Sequence, residues 1–123
     1  MSNKIDITHL AQQSDEAICH VIEPLIDIML EGSTNRDHAT HTRDFTDRLK
    51  VIVTEDNLAQ QCEEYQAKIG VFTRREFIAL FRRKQSVAAT WRIFASKSTD
   101  EFVMEAVFVE RDGNLRIDHC MIF

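Results

Sequence analysis

"EFVMEAVFVERDGNLRIDHCMIF", residues Glu101 to Phe123, alternates apolar and polar side chains on both sides of the pair Asp112-Gly113. Period-two alternation marks half-buried strands, and Asp-Gly between two such runs is a two-residue hairpin signal. If these two residues form the turn, Arg111 faces Asn114 and the register follows. One face then pairs Phe102, Met104, Ala106 and Phe108 with Phe123, Met121, His119 and Ile117. That face is almost wholly apolar and is expected to meet the core. The other face pairs Val103, Glu105, Val107 and Val109 with Ile122, Cys120, Asp118 and Arg116, half of them apolar and half charged or polar.

Working back from the hairpin, period two and β-branched or aromatic residues persist to Val71. The spacing predicts strands over 71–82, 87–96, 102–111 and 115–123, joined by "RKQS", "SKSTD" and "DGN". Before Gly70 the period is 3.6. Ser14 is placed to cap a helix whose apolar face runs Ile18, Val21, Ile22, Leu25, Ile26, Met29 and Leu30, with a kink expected at Pro24 and an end near Gly32. In "NRDHATHTRDF" (35–45), Asn35 is the expected cap of a short second helix, and His38, His41, Phe45 and Leu49 share its inward face. Thr54 caps a third helix whose inward stripe is Leu58, Cys62, Tyr65 and Ile69, with Gly70 as its stop. Residues 1–13 form an N-terminal segment, flexible or a short helix. The expectation is a single domain over 1–123. Its class is α+β, with three N-terminal helices packed on one face of a C-terminal four-stranded antiparallel meander.

The chain of 123 residues is one domain by size, and 44% hydrophobic with 28% charged residues is ordinary globular composition. The net charge of −5 argues against nucleic-acid or anionic-membrane partners, which call for a basic surface. The basic cluster "FRRKQS" falls in a hairpin turn, where charge is solvated. Cys19, Cys62 and Cys120 lack any C-x-x-C spacing and read as free thiols of a reducing compartment. "MSNKIDITHLAQQSDE" has no apolar signal region, and "ICHVIEPLIDIML" is interrupted by Glu23, Pro24 and Asp27. These features predict a cytoplasmic protein, with no cofactor.

The order of elements, with "NRDHATHTRDFTDRLK", the helix end "KIG", "TRREFIALFRRKQSVAATWRIF" and "EFVMEAVFVERDGNLRIDH", resembles the nuclear-transport-factor-2-like superfamily, also called the cystatin-like or cone fold. It is similar to a short uncharacterised prokaryotic branch of it. The resemblance spans about residues 15–123 and implies a cone-shaped domain. It implies function only broadly. The superfamily includes dehydratases, isomerases and cyclases with Asp or His inside the cone as acid or base, and it includes binding and dimerisation domains. His38 and His41 depart from the pattern, standing where that branch has a tyrosine and a phenylalanine.

Candidate site residues follow. His119, His38 and His41 are expected to point into one cavity, where imidazole would serve as general acid or base. Phe45, Tyr65, Trp91, Met104, Ala106, Phe108 and Met121 are the expected walls of a pocket for a small apolar or carboxylated ligand. A metal needs ligands beyond the two histidines of the second helix, and Asp37 and Asp44 lie to the sides, so no metal is expected. Arg74, Arg75 and Glu76 read as charges turned to water on a bulged or edge strand, or as a carboxylate-binding arginine at the rim. The half-apolar outer face (Val103, Val107, Val109, Cys120, Ile122) is the expected homodimer interface, rimmed by Glu105, Asp118, Arg92 and Arg116. The functional expectation is a homodimeric small-ligand-binding or assembly module. The alternative is a dehydratase or isomerase using a pocket histidine.

Overall fold

The computed structural model describes residues 4–123. Five helices precede four strands: α1 (Ile7–Leu10), α2 (Asp15–Thr34), α3 (His38–His41), α4 (Asp47–Ile52), α5 (Glu55–Ile69), β1 (Phe72–Arg82), β2 (Val87–Ala95), β3 (Phe102–Arg111) and β4 (Asn114–Ile122). The strands form one antiparallel sheet in the order β1-β2-β3-β4. The α+β class and the meander are as the sequence predicts. The helix count is five rather than three.

The additional helices have local causes. Residues 7–10 form the short helix α1, capped by the Asp6 carboxylate on Thr8 N–H at 3.0 Å. Ile7 and Leu10 bury against the main core, so the described part of the N-terminal segment is docked. The second helix is divided in two. Asp37, rather than Asn35, caps α3, and Thr46 caps α4 by accepting from Leu49 N–H at 3.2 Å. Between them Thr42 Oγ1 donates to His38 O at 2.9 Å, a local bond that competes with helix continuation. Phe45 then forms an isolated parallel bridge with Ile117, fixed by Thr46 N–H to Ile117 O at 2.9 Å and Ile117 N–H to Asp44 O at 2.7 Å.

Ser14 and Thr54 cap α2 and α5 as expected, each accepting a backbone N–H at 3.1 Å. Gly70 ends α5 with φ of 81°, a conformation that L side chains rarely adopt. Gly32 does not end α2, which runs through Pro24 and on to Thr34. Instead the backbone of His41 lies against it, so close that a Cβ on Gly32 would sit 2.3 Å from His41 N. Gly32 is a contact point between helices rather than a stop.

Asp112 and Gly113 take φ of 55° and 80°, the two positive values of a type I′ hairpin, and Arg111 pairs with Asn114. The expected register holds as far as Phe108↔Ile117 and then slips by one residue, with Asp118 as the extra one. Beyond this β-bulge Val107 pairs with His119, Ala106 with Cys120, and Met104 with Ile122. A one-residue slip exchanges the faces. Cys120 and Ile122 therefore turn inward, while His119, Met121 and Phe123 join the outer face.

The core packs α1 and α2 onto the sheet. Ile18, Ile22 and Ile26 of α2 meet Val87, Ala89, Trp91 and Ile93 of β2 and Met104, Ala106 and Phe108 of β3. The remaining helices close around the other end of the sheet less completely. No helix among the described residues is long and apolar enough to cross a membrane.

Candidate functional site

Toward the ends of β3 and β4 the helices leave an open cleft of about 750 Å³. Its size is within the usual range for small-molecule sites, roughly 300–1,000 Å³. One wall is α5, whose inward stripe of Leu58, Cys62, Tyr65 and Ile69 lines it together with the flanking Asn57, Gln61 and Lys68. The sheet contributes Phe102 and, along its last edge, His119, Cys120, Met121, Ile122 and Phe123. The C-terminal end of α2 (Met29, Leu30, Ser33), His41, Phe45 and Leu49 form the remainder.

Two polar groupings stand on this apolar lining. The first joins α2 to α5. Ser33 Oγ and Tyr65 Oη lie 2.8 Å apart, and Gln66 Nε2 donates to Tyr65 Oη and to Ser33 O, both at 3.2 Å. The Cys62 thiol donates to Ser33 O at 3.3 Å. Tyr65 stacks on Phe72 with ring centroids 5.1 Å apart.

The second is His41. Its Nδ1 donates to Met29 O at 2.7 Å, and its ring meets the Phe45 ring edge-on at 5.2 Å. A carbonyl oxygen only accepts, so the proton of the neutral ring resides on Nδ1. Burial holds the imidazole below the usual histidine value of 6.5, although the bond to Met29 O pushes it the other way. Among the described residues Nε2 has no hydrogen-bond partner. No buried side-chain nitrogen or oxygen among them lacks one, so Nε2 keeps some exposed surface. His41 thus presents an unprotonated acceptor nitrogen from a residue that lines the cleft.

The other two histidines do not share this site in the way the sequence suggests. His38 Nε2 donates to Val53 O at 2.8 Å and ties α3 to the end of α4; Val53 lines the cleft, but His38 does not. His119 is not opposite Ala106. The Asp118 bulge sets it opposite Val107, with Nε2 3.1 Å from Glu105 Oε2, and it lines the same cleft as His41. Of the expected pocket walls, Phe45, Tyr65 and Met121 line the cleft. Trp91, Met104, Ala106 and Phe108 are fully buried core residues outside the cleft lining. The outer face is corrected in the same way. Val103 and Val107 remain on it, Val109 is already buried, and Cys120 and Ile122 have left it. The Cys120 thiol is enclosed although its residue keeps some surface, and burial, with Glu105 nearby, pushes it up to about 12.

Arg75 also departs from the water-facing reading. A bulge between Phe72 and Arg75 turns its guanidinium inward, where it donates to Glu23 and, at 2.6 Å, to Asp27. Trp91 Nε1 donates to the other oxygen of Glu23 at 2.6 Å. This arginine is paired with the protein's own carboxylates. Glu23 and Asp27, one helical turn apart in an otherwise apolar run of α2, are the sequence signal for it. Ser33, Arg48 and the polar flank of α5 are cleft residues that the sequence reading missed. The spacing of Asn57, Gln61, Glu64 and Lys68, beside the apolar stripe of α5, could have found the last of these. Among the described residues no group of three or more His, Cys, Asp or Glu side chains is placed to hold a metal ion.

Solved structures share this architecture. An NTF2-like protein of unknown function from Shewanella baltica OS155 superposes with a TM-score of 0.59 at 10% identity, over 91% of this chain and 97% of that one. Bd1075 of Bdellovibrio bacteriovorus superposes with a TM-score of 0.54 at 9% identity, over 88% of this chain but 40% of the longer partner. No family model and no curated protein matches the sequence. The helices, the meander and these superpositions together give the chain the NTF2-like cone fold.

Proposed function

We propose that the protein is a cytoplasmic, homodimeric module that binds a small, largely apolar molecule in the cleft between α5 and β4. The observation that carries this reading is the cleft itself, about 750 Å³ with apolar walls and a few convergent polar groups. Filling it tests the reading. Ile122→Trp adds an indole to the lining while leaving Ser33, Tyr65 and His41 themselves unchanged. The unmodified protein should bind a neutral naphthalene probe saturably, and the variant should not. Equal binding by both, or none by either, refutes the reading.

Dimerisation rests on the outer sheet face as the bulge leaves it. Phe81, Val103 and Met121 are 50%, 41% and 51% exposed, with Val107 and Ala88 between them. A second copy related by a two-fold axis would cover this surface. Light scattering at micromolar concentration should give twice the chain mass, and Met121→Asp should return the monomer.

One observation favours a second reading, a dehydratase or isomerase. His41 holds an unprotonated, solvent-open Nε2 at the cleft, the state a general base needs. An enolisable ketone probe such as 2-acetylnaphthalene, bound in deuterium oxide, would then exchange its α-protons faster than in buffer. His41→Gln would abolish the excess.

A further inference from the structure

We propose that the cleft selects ligands carrying a neutral hydrogen-bond donor, an alcohol, phenol or amide N–H, and disfavours carboxylates, because His41 offers it a fixed acceptor. This rests on the ligand-binding reading above and goes further by naming the head-group chemistry. The tautomer follows from geometry. Met29 O, 2.7 Å from Nδ1, can only accept, so the ring proton is committed there and the lone pair of Nε2 is left over. The ring cannot turn over without breaking that bond, and the edge contact with Phe45 and the abutment of the His41 backbone on Gly32 fix its position. An incoming O–H or N–H completes Nε2. A carboxylate oxygen would place lone pair against lone pair in a mostly apolar enclosure, or would have to bring a proton with it.

The other polar groups of the cleft do not offset this. Ser33 and Tyr65 are bonded to each other. Arg48 is engaged by Asp118 through Nε at 3.1 Å. Lys68 lines the cleft as an exposed ammonium and makes no ion pair among the described residues. An exposed ammonium stays hydrated and offsets little of the cost of bringing an anionic head against Nε2, so the carboxylated ligand expected from sequence is the weaker candidate.

The test uses the full chain at pH 7.5 with four probes of one ring system: 2-naphthol, 2-methoxynaphthalene, naphthalene and 2-naphthoate. A single hydrogen bond to a partly desolvated acceptor corresponds to about a tenfold preference. Naphthol should therefore bind about tenfold more tightly than its methyl ether, with naphthoate weakest. The Nε2 resonance of His41 in long-range nitrogen–proton spectra should move with naphthol and stay with naphthalene. In His41→Phe, which keeps the ring contact with Phe45, naphthol and its ether should bind alike. If that variant fails to fold, the wild-type spectra decide alone. Equal binding of naphthol and ether with an unmoved Nε2 overturns the donor preference and leaves ligand binding standing, as does tighter binding of naphthoate. Failure of all four probes overturns both.

Discussion

Replacing Gly32 with alanine separates two opposed expectations. On an open helix the change is favourable by about 1 kcal/mol, because glycine loses more backbone freedom. Here the added Cβ would lie 2.3 Å from His41 N, 2.5 Å from its Cα and 2.8 Å from its Cβ. Non-bonded carbon contacts settle near 3.5–4.0 Å, so α3 must retreat from α2 by about 1 Å or more. The obstacle is mostly backbone, which cannot swing aside as a side-chain tip can. The retreat loads two bonds between these helices, Asp37 N–H to Gly32 O at 2.8 Å and His41 Nδ1 to Met29 O at 2.7 Å. Overpacking costs about 1–3 kcal/mol and each weakened bond about 1, so after the helix gain the net loss is about 2–4 kcal/mol. For a chain of this length that lowers Tm by roughly 8–15 °C. Urea unfolding followed by circular dichroism and Trp91 emission measures it. Ala67→Gly on the exposed side of α5, which should cost only about 1 kcal/mol, calibrates the scale. An unfolding midpoint at or above that of the unmodified protein would refute the close approach of α3 to α2, and with it the placement of His41.

Arg75→Met removes the cation between Glu23 and Asp27, and since these carboxylates are partly solvated it should cost about 1–3 kcal/mol. Trp91 emission should shift, since its indole N–H shares Glu23, and an unchanged spectrum and stability would disprove the network. Because burial holds His41 below the histidine value of 6.5, the unfolded chain binds more protons there. Its contribution to stability is therefore full above about 6.5 and lost as pH falls through the lower folded value. Denaturation across this window should show that slope, and NMR titration should find His41 protonating below the free value, whereas a free-like titration would contradict its burial. Cys120, with its thiol pushed up to about 12, should resist iodoacetamide at pH 8 in the native protein and react on unfolding. Mass spectrometry showing native labelling of Cys120 would place it outside the core.

What the sequence made legible has a common physical basis. Strand β2 and the inward stripe of α5 obey one period from end to end, and each boundary carries a residue with a steric or hydrogen-bonding reason to be there: Ser14, Thr54, Gly70, Asp112-Gly113. Departures occur where a side chain competes with the period. Thr42, Asp44 and Thr46 offer local bonds that break a helix the apolar spacing alone would continue. Gly32 read as a helix stop because sequence does not show what lies across from a glycine. His41 lines the cleft with its ring fixed by a contact the sequence does not show. The Met29 carbonyl that fixes its tautomer belongs to another helix, twelve residues away.

The β4 bulge is the most consequential of these departures, because one residue decides both faces of the hairpin. Asp118 is removed from the ladder by contacts beyond the sheet. Thr46 Oγ1 donates to its carboxylate at 2.8 Å, and Arg48 donates to both its carboxylate and its carbonyl. Burial acts against its charge, yet these bonds and the nearby arginines hold its carboxyl below the usual aspartate value. The bridge of Phe45 to Ile117 secures the strand just before it. The segment that interrupts the second helix is thus the same segment that holds the bulge open. A bulge bends its strand and sharpens the local twist, and the bend lies where the cleft begins. Downstream of it Cys120 and Ile122 face inward and His119 and Met121 face outward. The broken helix, the slipped register and the pairing of His119 with Val107 and Glu105 rather than with Ala106 are one structural event, seen at three positions in the chain.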